Sequence, residues 1–269
     1  MDLFRAIILG LLQGATEFIP VSSSGHLVLF PWLVGWESPG LVFDTAVHWG
    51  TLVAVVVFFW RDWWMLIQSW LRGLLRWDWS DPHARLMWCL ILGTIPAAVL
   101  GYALEDWFED LFGKPVWASV FLLVTAGLLV LSERLGRGGR PLDSLRWTDA
   151  LAIGIGQAIA IAPGISRSGA TISAGLLRGL NRAEGARFSF LLSTPIILGA
   201  GALQLFGLTS DPSAEAQLPA LLTGFLAALL SGYLCIGFLL RYLQRGRLYP
   251  FAFYCAWVGI SCLLVALLR

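Results

Sequence analysis

Charged residues are scarce in this sequence: only 13% of its 269 residues are Asp, Glu, Lys or Arg, whereas 58% are hydrophobic. Soluble domains carry about 25% charged residues, and a chain of this length could not bury so much apolar surface in its own core. The formal net charge of +1 leaves no basic excess with which to bind a nucleic acid. The sequence therefore excludes a soluble domain and a nucleic-acid partner, and it predicts an integral membrane protein.

Cysteines are few as well, and they lack the paired spacing of a disulfide framework or a metal knuckle. All four lie in apolar segments: Cys89, Cys235, Cys255 and Cys262. The sequence also has no P-loop, no HExxH motif and no arrangement typical of a cysteine nucleophile. Conventional nucleotide, zinc and thiol chemistry is therefore not indicated.

Six segments are long and apolar enough to cross a bilayer, which takes about 20 residues. They cover roughly 43–60, 86–104, 115–132, 187–206, 218–240 and 250–268. Two further apolar stretches, 3–36 and 150–180, are interrupted near their middles by Pro, Gly and Ser. We predict that both are re-entrant helix–loop–helix hairpins, because each half is too short to cross alone. One kinked spanning helix in each place is the alternative.

Arginine placement favours the hairpins. Fourteen of the eighteen basic residues fall in four clusters, within 61–85, 134–146, 178–187 and 241–247. Six spans and two returning hairpins put all four clusters on one face, which the positive-inside rule makes cytoplasmic. If 150–180 crossed fully, the later clusters would change sides. The prediction is an all-α polytopic membrane protein with its arginine-rich face in the cytoplasm.

The two broken segments resemble each other. "GLLQGATEFIPVSSSG" (10–25) and "GIGQAIAIAPGISRSG" (154–169) share Gly, Gln, Ser, Ser and Gly at positions separated by 144 residues. Each half of the chain contains one hairpin followed by three spans. Three is an odd number of crossings, so the second half has the inverted orientation, as in many transporters. We predict a single membrane domain, 1–269, built from inverted-topology repeats at 1–132 and 148–269, with hairpin tips meeting near the midplane.

Polar side chains concentrate in these two segments. The set comprises Gln13, Thr16, Glu17, Ser22, Ser23, Ser24, His26, Gln157, Ser166, Arg167, Ser168 and Thr171. An ionisable group at membrane depth costs about 2.5–3.5 kcal/mol, so Glu17 and Arg167 should pair or bind a ligand. Gly/Ser turns that open a helix, together with an arginine, suit an oxyanion. With Glu17 and His26 the set is typical of phosphoryl transfer, although Glu17 and Arg167 could simply hold the hairpins together.

Three other features have simpler interpretations. We expect His48 inside a span near its outer end and Asp44 in the first turn of that span, as a cap or first-turn charge that could also contribute to the site. The segment 61–80 interleaves Trp and Arg and is predicted to be an amphipathic helix along the cytoplasmic interface.

At "QGATEFIPVSSSGH" (13–26) and "PGISRSGAT" (163–171), the chain resembles the bacterial undecaprenyl-diphosphate phosphatase family, a group linked to bacitracin resistance. The resemblance continues through "ARFSFLLSTPIILGA" (186–200) and covers nearly the whole chain. The family's (E/Q)xxxE motif falls on Gln13 and Glu17, with Gln in a place where other members carry Glu. Its serine and histidine fall on Ser23 and His26. Its PGxSRSxxT motif falls on six residues: Pro163, Gly164, Ser166, Arg167, Ser168 and Thr171.

The resemblance implies hydrolysis of undecaprenyl diphosphate to undecaprenyl phosphate, aided by a divalent cation. We expect Glu17, with Gln13, to hold Mg²⁺ or Ca²⁺ or to orient a base, and Arg167 with the 164–169 turn to bind the diphosphate. We expect Ser23 to be the nucleophile and His26 to be its base. The reverse assignment, with His26 as nucleophile and Ser23 assisting, stays open. The predicted substrate-binding residues are Gln13, Ser22, Ser24, Gly164, Ser166, Ser168 and Thr171.

We expect the site to open to the periplasm and the lipid to enter between spans. A homodimer is compatible with the sequence. The competing function is an inverted-repeat transporter or flippase for a phosphorylated polyprenyl lipid.

Overall fold

A computed structural model describes residues 1–104, 111, 113–208 and 213–269 of the chain. Within these residues there are eleven α-helices and no β-strand apart from an isolated bridge between Arg140 and Leu180. The helices are α1 (Leu3–Phe18), α2 (Ser23–Val34), α3 (Leu41–Phe58), α4 (Trp60–Arg76), α5 (Pro82–Ala103), α6 (Pro115–Leu135), α7 (Trp147–Ile159), α8 (Arg167–Leu177), α9 (Arg182–Leu208), α10 (Ser213–Tyr242) and α11 (Tyr249–Leu268). The all-α prediction is confirmed.

Six of these helices have the length and hydropathy of membrane spans: α3, α5, α6, α9, α10 and α11. Each overlaps one of the six predicted segments, with ends that differ by a few residues. The largest shifts are of five residues: α9 begins at Arg182 rather than at 187, and α10 begins at Ser213 rather than at 218. Arg182 and Arg187 can lie in a helix end because both pair with acidic side chains, Glu133 and Asp62. The chain is a multi-pass membrane protein.

The two interrupted stretches each form a pair of short helices with a non-helical break between them. The breaks lie at 19–22 and 160–166, and the flanking helices have 16, 12, 13 and 11 residues. At about 1.5 Å per residue, none reaches the roughly 30 Å thickness of a hydrocarbon core. The sequence therefore placed both breaks correctly.

Side-chain contacts join the two ends of each short-helix pair. Arg5 in α1 lies over the ring of Trp36, just beyond α2, at 5.1 Å. Asp149 in the first turn of α7 accepts a hydrogen bond from Arg178, just beyond α8, at 2.7 Å. The two ends of each pair are thus in contact.

The four arginine clusters lie at one end of the helix bundle. Arg187 pairs with Asp62, Arg140 donates to the carbonyl of Arg178 at 2.8 Å, and Arg182 donates to Glu133 at 2.8 Å. The Glu133 carboxylate also accepts from the backbone N–H of Leu248, at the start of α11. These contacts link the regions 61–85, 134–146, 178–187 and 241–247, as the charge pattern predicted.

Asp149 anchors the α7–α8 pair at this end. Its buried carboxylate accepts from Arg140 at 2.8 Å, from Arg178 at 2.7 Å and from the backbone N–H of Arg146 at 3.1 Å. Burial by itself raises the pKa of Asp149, but the hydrogen bonds from the two arginines and the backbone outweigh it and hold the pKa below its ordinary value. The carboxylate is therefore ionised, and it fixes both ends of the pair.

The other short-helix pair opens at the opposite end. Arg269, the last residue of the chain, donates to the carbonyls of Trp32 and Leu33 at the end of α2. Because α11 runs for 20 residues from the arginine end, this point lies about 30 Å away. The two breaks, facing inward from opposite ends, meet inside the bundle.

Candidate active site

A buried glutamate is the centre of the meeting point. One oxygen of Glu17 accepts from the Arg167 guanidinium at 2.5 Å, across 150 residues of sequence. The other accepts from the Ser23 hydroxyl at 2.5 Å and from the Gln13 side-chain amide at 3.0 Å. Glu17 is 6% exposed, whereas Ser23 is only half-buried. Four predicted site residues are thus brought together around a single carboxylate.

The position of Glu17 follows from local structure and packing. Gln13 and Glu17 are four residues apart in α1 and therefore share a face of that helix. The neighbouring Phe18 is fully buried and packs edge-on against Phe190 of α9, with ring centroids 5.3 Å apart. This contact fixes the last turn of α1 and so the point from which the carboxylate extends.

A strained turn presents Ser23. Ser22 has φ +71°, a backbone conformation that L-residues other than Asn and Asp seldom adopt. Its side chain caps α2 by accepting from the N–H of Gly25 at 3.2 Å, and it also contacts the Ser24 hydroxyl at 3.3 Å. The turn places Ser23 at the first position of α2, facing Glu17.

The break before α8 is built in the same way. The Ser166 side chain caps α8 by accepting from the N–H of Gly169 at 3.0 Å, and its hydroxyl contacts that of Ser168 at 3.2 Å. Gly164 has φ +103°. Thr125 of α6 holds this turn, since its hydroxyl donates to the Gly164 carbonyl and accepts from the Ser166 N–H. The α8 N-terminus is thereby fixed with Arg167 as its first residue.

The two turns touch. A Cβ added at Gly25 would lie 3.0 Å from the Cα of Gly164, and the Ser168 hydroxyl donates to the carbonyl of Ile19 at 3.3 Å. The N-termini of α2 and α8 are therefore neighbours. Both bring unpaired N–H groups and a positive dipole end to one place, an arrangement suited to an anion.

His26 is placed differently from our expectation. Its Nδ1 is 2.7 Å from the Ser22 carbonyl oxygen and its Nε2 is 2.8 Å from the Tyr254 hydroxyl, with the two rings stacked. A carbonyl only accepts, so Nδ1 carries the proton and Nε2 accepts from Tyr254. Both ring nitrogens of His26 are thus engaged elsewhere and Ser23 donates to Glu17, so Ser23 and His26 do not share a hydrogen bond here; the role of His26 as base stays a prediction.

Two spans contribute residues for which the sequence did not predict a site role. Tyr254 lies in α11, where nothing in the apolar run distinguishes it. His48, expected to lie near the outer end of a span, has its Nε2 3.9 Å from Glu17 and its Nδ1 2.7 Å from the carbonyl of Asp44. Asp44 is in the first turn of α3, as predicted. The four-residue spacing of Asp44 and His48 was the available signal.

Thr171 does not contact the Glu17 group. It is almost fully buried, and its hydroxyl is shared with that of Ser189 at 2.6 Å and with carbonyls of its own helix. It links α8 to α9. The structure thus brings Gln13, Ser23 and Arg167 onto Glu17, and places Thr171 behind them.

Oxygen donors for a divalent cation are limited to one edge of the site. No group of three His, Cys, Asp or Glu side chains with metal-binding geometry occurs in the described part of the chain. The Gln13 Oε1 atom, however, is buried without a hydrogen-bond partner beside Glu17. One carboxylate and one free amide oxygen fit an ion whose other ligands are phosphate oxygens and water, as is common for Mg²⁺.

Fold and site together define a class of protein: a multi-pass helical membrane protein with a charged, hydroxyl-rich centre where two broken helix pairs meet. Residues 6–261 match the family model described as bacitracin resistance protein BacA, and the chain belongs to this family. The same residues that form the centre carried the resemblance.

Three relatives that are similar to the chain over nearly their whole length are each named undecaprenyl-diphosphatase. An undecaprenyl-diphosphatase of Desulforudis audaxviator is 48% identical over 269 residues, which cover 100% of both chains. One of Rubrobacter xylanophilus is 46% identical, covering 100% of this chain and 99% of the relative. One of Pelotomaculum thermopropionicum is 42% identical, covering 100% and 98%.

Proposed function

We propose that the protein is an undecaprenyl-diphosphatase: it hydrolyses undecaprenyl diphosphate to undecaprenyl phosphate and phosphate, and so recycles a lipid carrier of cell-wall synthesis. The observation that carries this proposal is the Ser23–Glu17–Arg167 constellation, in which a hydroxyl and a phosphate-binding cation each lie within hydrogen-bond distance of one carboxylate, a proton acceptor. The full-length relatives named for this activity support the same reaction.

Ser23 is the nucleophile. Its proton passes to Glu17, to which it already donates, while its oxygen attacks the terminal phosphorus. The bond from that phosphorus to the bridging oxygen breaks, and undecaprenyl phosphate leaves. Glu17 gives its proton to the departing phosphate oxygen and, again ionised, takes a proton from the water that attacks the phosphoserine. As phosphate leaves, Glu17 returns that proton to the serine oxygen and restores the hydroxyl. Glu17 thus takes the role of base that the sequence had suggested for His26.

Arg167 and the two helix N-termini hold the diphosphate. Arg167 uses one amino group on Glu17, so its remaining donors are available to phosphate oxygens. The hydroxyls of Ser22, Ser24, Ser166 and Ser168 and the backbone around Gly164 line the same turns. Such a fixed set of donors stabilises the charge of a transferring phosphoryl group by positioning rather than by covalent chemistry.

His26 positions the nucleophile. Its Nδ1–H holds the carbonyl of Ser22, the residue with the strained backbone next to Ser23. Tyr254 fixes the tautomer that makes this hydrogen bond possible.

Glu17 and the free oxygen of Gln13 would hold a divalent cation, Mg²⁺ or Ca²⁺, together with the substrate. When bound, the ion would neutralise charge on the diphosphate. Removal of the Gln13 oxygen in Gln13→Ala should raise the free Mg²⁺ concentration required for half-maximal phosphate release. An unchanged requirement would remove Gln13 from the metal site.

The broken helix pairs are proposed to be re-entrant hairpins of an inverted repeat in a bacterial inner membrane. The equivalent caps at Ser22 and Ser166, which are separated by 144 residues, support the repeat. The arginine-rich end is cytoplasmic under the positive-inside rule, so the α1–α2 pair enters from the periplasm and the site opens there. A polyprenyl chain would reach it between the apolar spans.

The relatives' names support a phosphatase rather than the transporter or flippase alternative. The site agrees, because a carrier would not require a hydroxyl donating to a buried carboxylate.

Phosphate release from undecaprenyl diphosphate by the purified protein in detergent tests the proposal. Ser23→Ala should reduce release by at least about 10³-fold, since the nucleophile is lost. Thr223→Ala is the matched control, because that hydroxyl only bonds to a carbonyl of its own helix. If the wild type releases no phosphate, or if Ser23→Ala is as active as the control, the proposal is wrong.

A further inference from the structure

Helix α4 has three distinct faces. Leu66, Ser69 and Gly73 are buried and turn toward the bundle, where Trp70 packs against Trp88 of α5 at a centroid distance of 5.8 Å. A second face carries exposed apolar side chains: Trp60, Trp64, Ile67 and Leu71 are 57%, 61%, 43% and 48% exposed. Their spacing of four, three and four residues keeps them on one side of the helix. We call this the apolar face.

A third stripe is basic. Arg61, Arg72 and Arg76 are exposed and fall about 90°, 110° and 150° around the helix from the centre of the apolar face. None of them forms an ion pair within the described part of the chain; Arg61 lies over the Trp60 ring and Arg72 donates to Gln68. The only acidic residue of α4, Asp62, is already paired with Arg187 of α9. We call these three arginines the basic face.

The location of α4 brings both faces to a membrane boundary. It begins directly after the span α3 and ends six residues before the span α5, at the arginine end of the bundle. A helix lying there, with one side packed on the bundle, turns its apolar face to acyl chains and its basic face to headgroups. The tryptophans belong at that depth, because their rings favour the headgroup level.

We propose that the basic face of α4 binds the phosphate headgroups of anionic phospholipids, so that anionic lipids in the layer around the protein are concentrated at this helix. The observation is the unpaired arginine stripe beside an exposed Trp/Leu stripe. Three exposed cations, one of which (Arg76) interacts electrostatically with the exposed carboxylate of Asp78, complement a negatively charged lipid surface, and zwitterionic headgroups do not offer that charge. This lipid site is separate from the catalytic centre.

Lipid retention by the full-length protein tests the proposal. The protein is reconstituted in equal amounts of phosphatidylglycerol and phosphatidylcholine, extracted gently, and its bound lipids are counted by native mass spectrometry. The wild type should retain phosphatidylglycerol preferentially. The R61Q/R72Q/R76Q variant should lose that preference by about fivefold for each arginine removed. The R61K/R72K/R76K variant should keep it, because it conserves the charge.

The matched control is R137Q/R241Q/R245Q, which removes three exposed arginines from the same end of the bundle outside α4. It should retain phosphatidylglycerol as the wild type does. Phosphate release in detergent, measured on every variant, should stay at the wild-type level, which shows that the fold is intact and separates this test from that of the proposed function. An equal loss in the control, or unchanged retention in the α4 variant, would overturn the proposal.

Discussion

At the scale of single residues, the site depends on two positions that correspond in the two short-helix pairs. Ser23 and Arg167 are separated by 144 residues, and each is the first residue of the helix that follows a break. They approach the same carboxylate from opposite sides, Ser23 at one oxygen of Glu17 and Arg167 at the other. In the proposed mechanism, one structural position thus supplies the nucleophile in the first half and the phosphate-binding cation in the second.

The role of His26 can be tested by keeping its hydrogen bond while removing its acid–base chemistry. The side-chain amide of His26→Asn can still donate to the Ser22 carbonyl, whereas His26→Ala leaves that carbonyl without its partner. If His26 positions Ser23, the Asn variant should keep at least about tenfold more kcat than the Ala variant, since a hydrogen bond to a buried group is worth about 1–3 kcal/mol. Equal loss in both variants, with the pH profile of kcat displaced, would instead make His26 the acid–base group.

At the scale of helices, glycines allow the short-helix pairs to approach their neighbours closely. A Cβ at Gly10 of α1 would overlap the carbonyl oxygen of Gly224 in α10. A Cβ at Gly154 of α7 would overlap the carbonyl oxygen of Gly93 in α5. Gly10 and Gly154 are again separated by 144 residues. Both crossings are thus close backbone contacts of the kind that small residues permit between helices in a membrane.

We expect Gly154→Ala to lower the thermal stability of the protein in detergent, because the methyl group forces α7 away from α5. The cost should be about 1–3 kcal/mol, as for other overpacked interfaces. Gly199→Ala in α9 is the control, since a Cβ there meets nothing within 4 Å. Its melting temperature should stay the same or rise slightly. A Gly154→Ala melting temperature equal to that of the control would contradict close packing at this crossing.

The limits of sequence reasoning can also be seen at this scale. Hydropathy located six spans and two breaks, because length and apolar composition determine whether a helix can cross a bilayer. Glu17 and Arg167 were identified because placing a charged side chain within the bilayer costs free energy. Tyr254 was not predicted, since its partner His26 lies 228 residues away and only packing of α11 against α2 brings them together. The hydrogen-bond partners of Ser23 and His26 were not predicted, because a sequence motif orders residues but does not orient their side chains.

At the scale of the whole molecule, charge is distributed unevenly between the two ends of the bundle. The buried carboxylates Asp149 and Glu133 each accept from arginines, and these pairs join the loops and helix termini of one end. The opposite end has Arg5 and Arg269, which contact tryptophan rings. This polarity is the physical basis for placing the arginine end in the cytoplasm and for expecting the site to open on the other side.

This orientation can be tested by thiol labelling of intact cells. In a variant whose four native cysteines are replaced, Ser23→Cys should react with a membrane-impermeant reagent added from the periplasm, because the α1–α2 pair enters from that side. Ser23 is half-buried, so the reaction should be slow and should be slowed further by a substrate analogue. Arg137→Cys, exposed at the arginine end, is the control and should react only after the cells are opened. If Cys at position 137 reacts in intact cells and Cys at position 23 only in opened ones, the protein has the opposite orientation and the site opens to the cytoplasm.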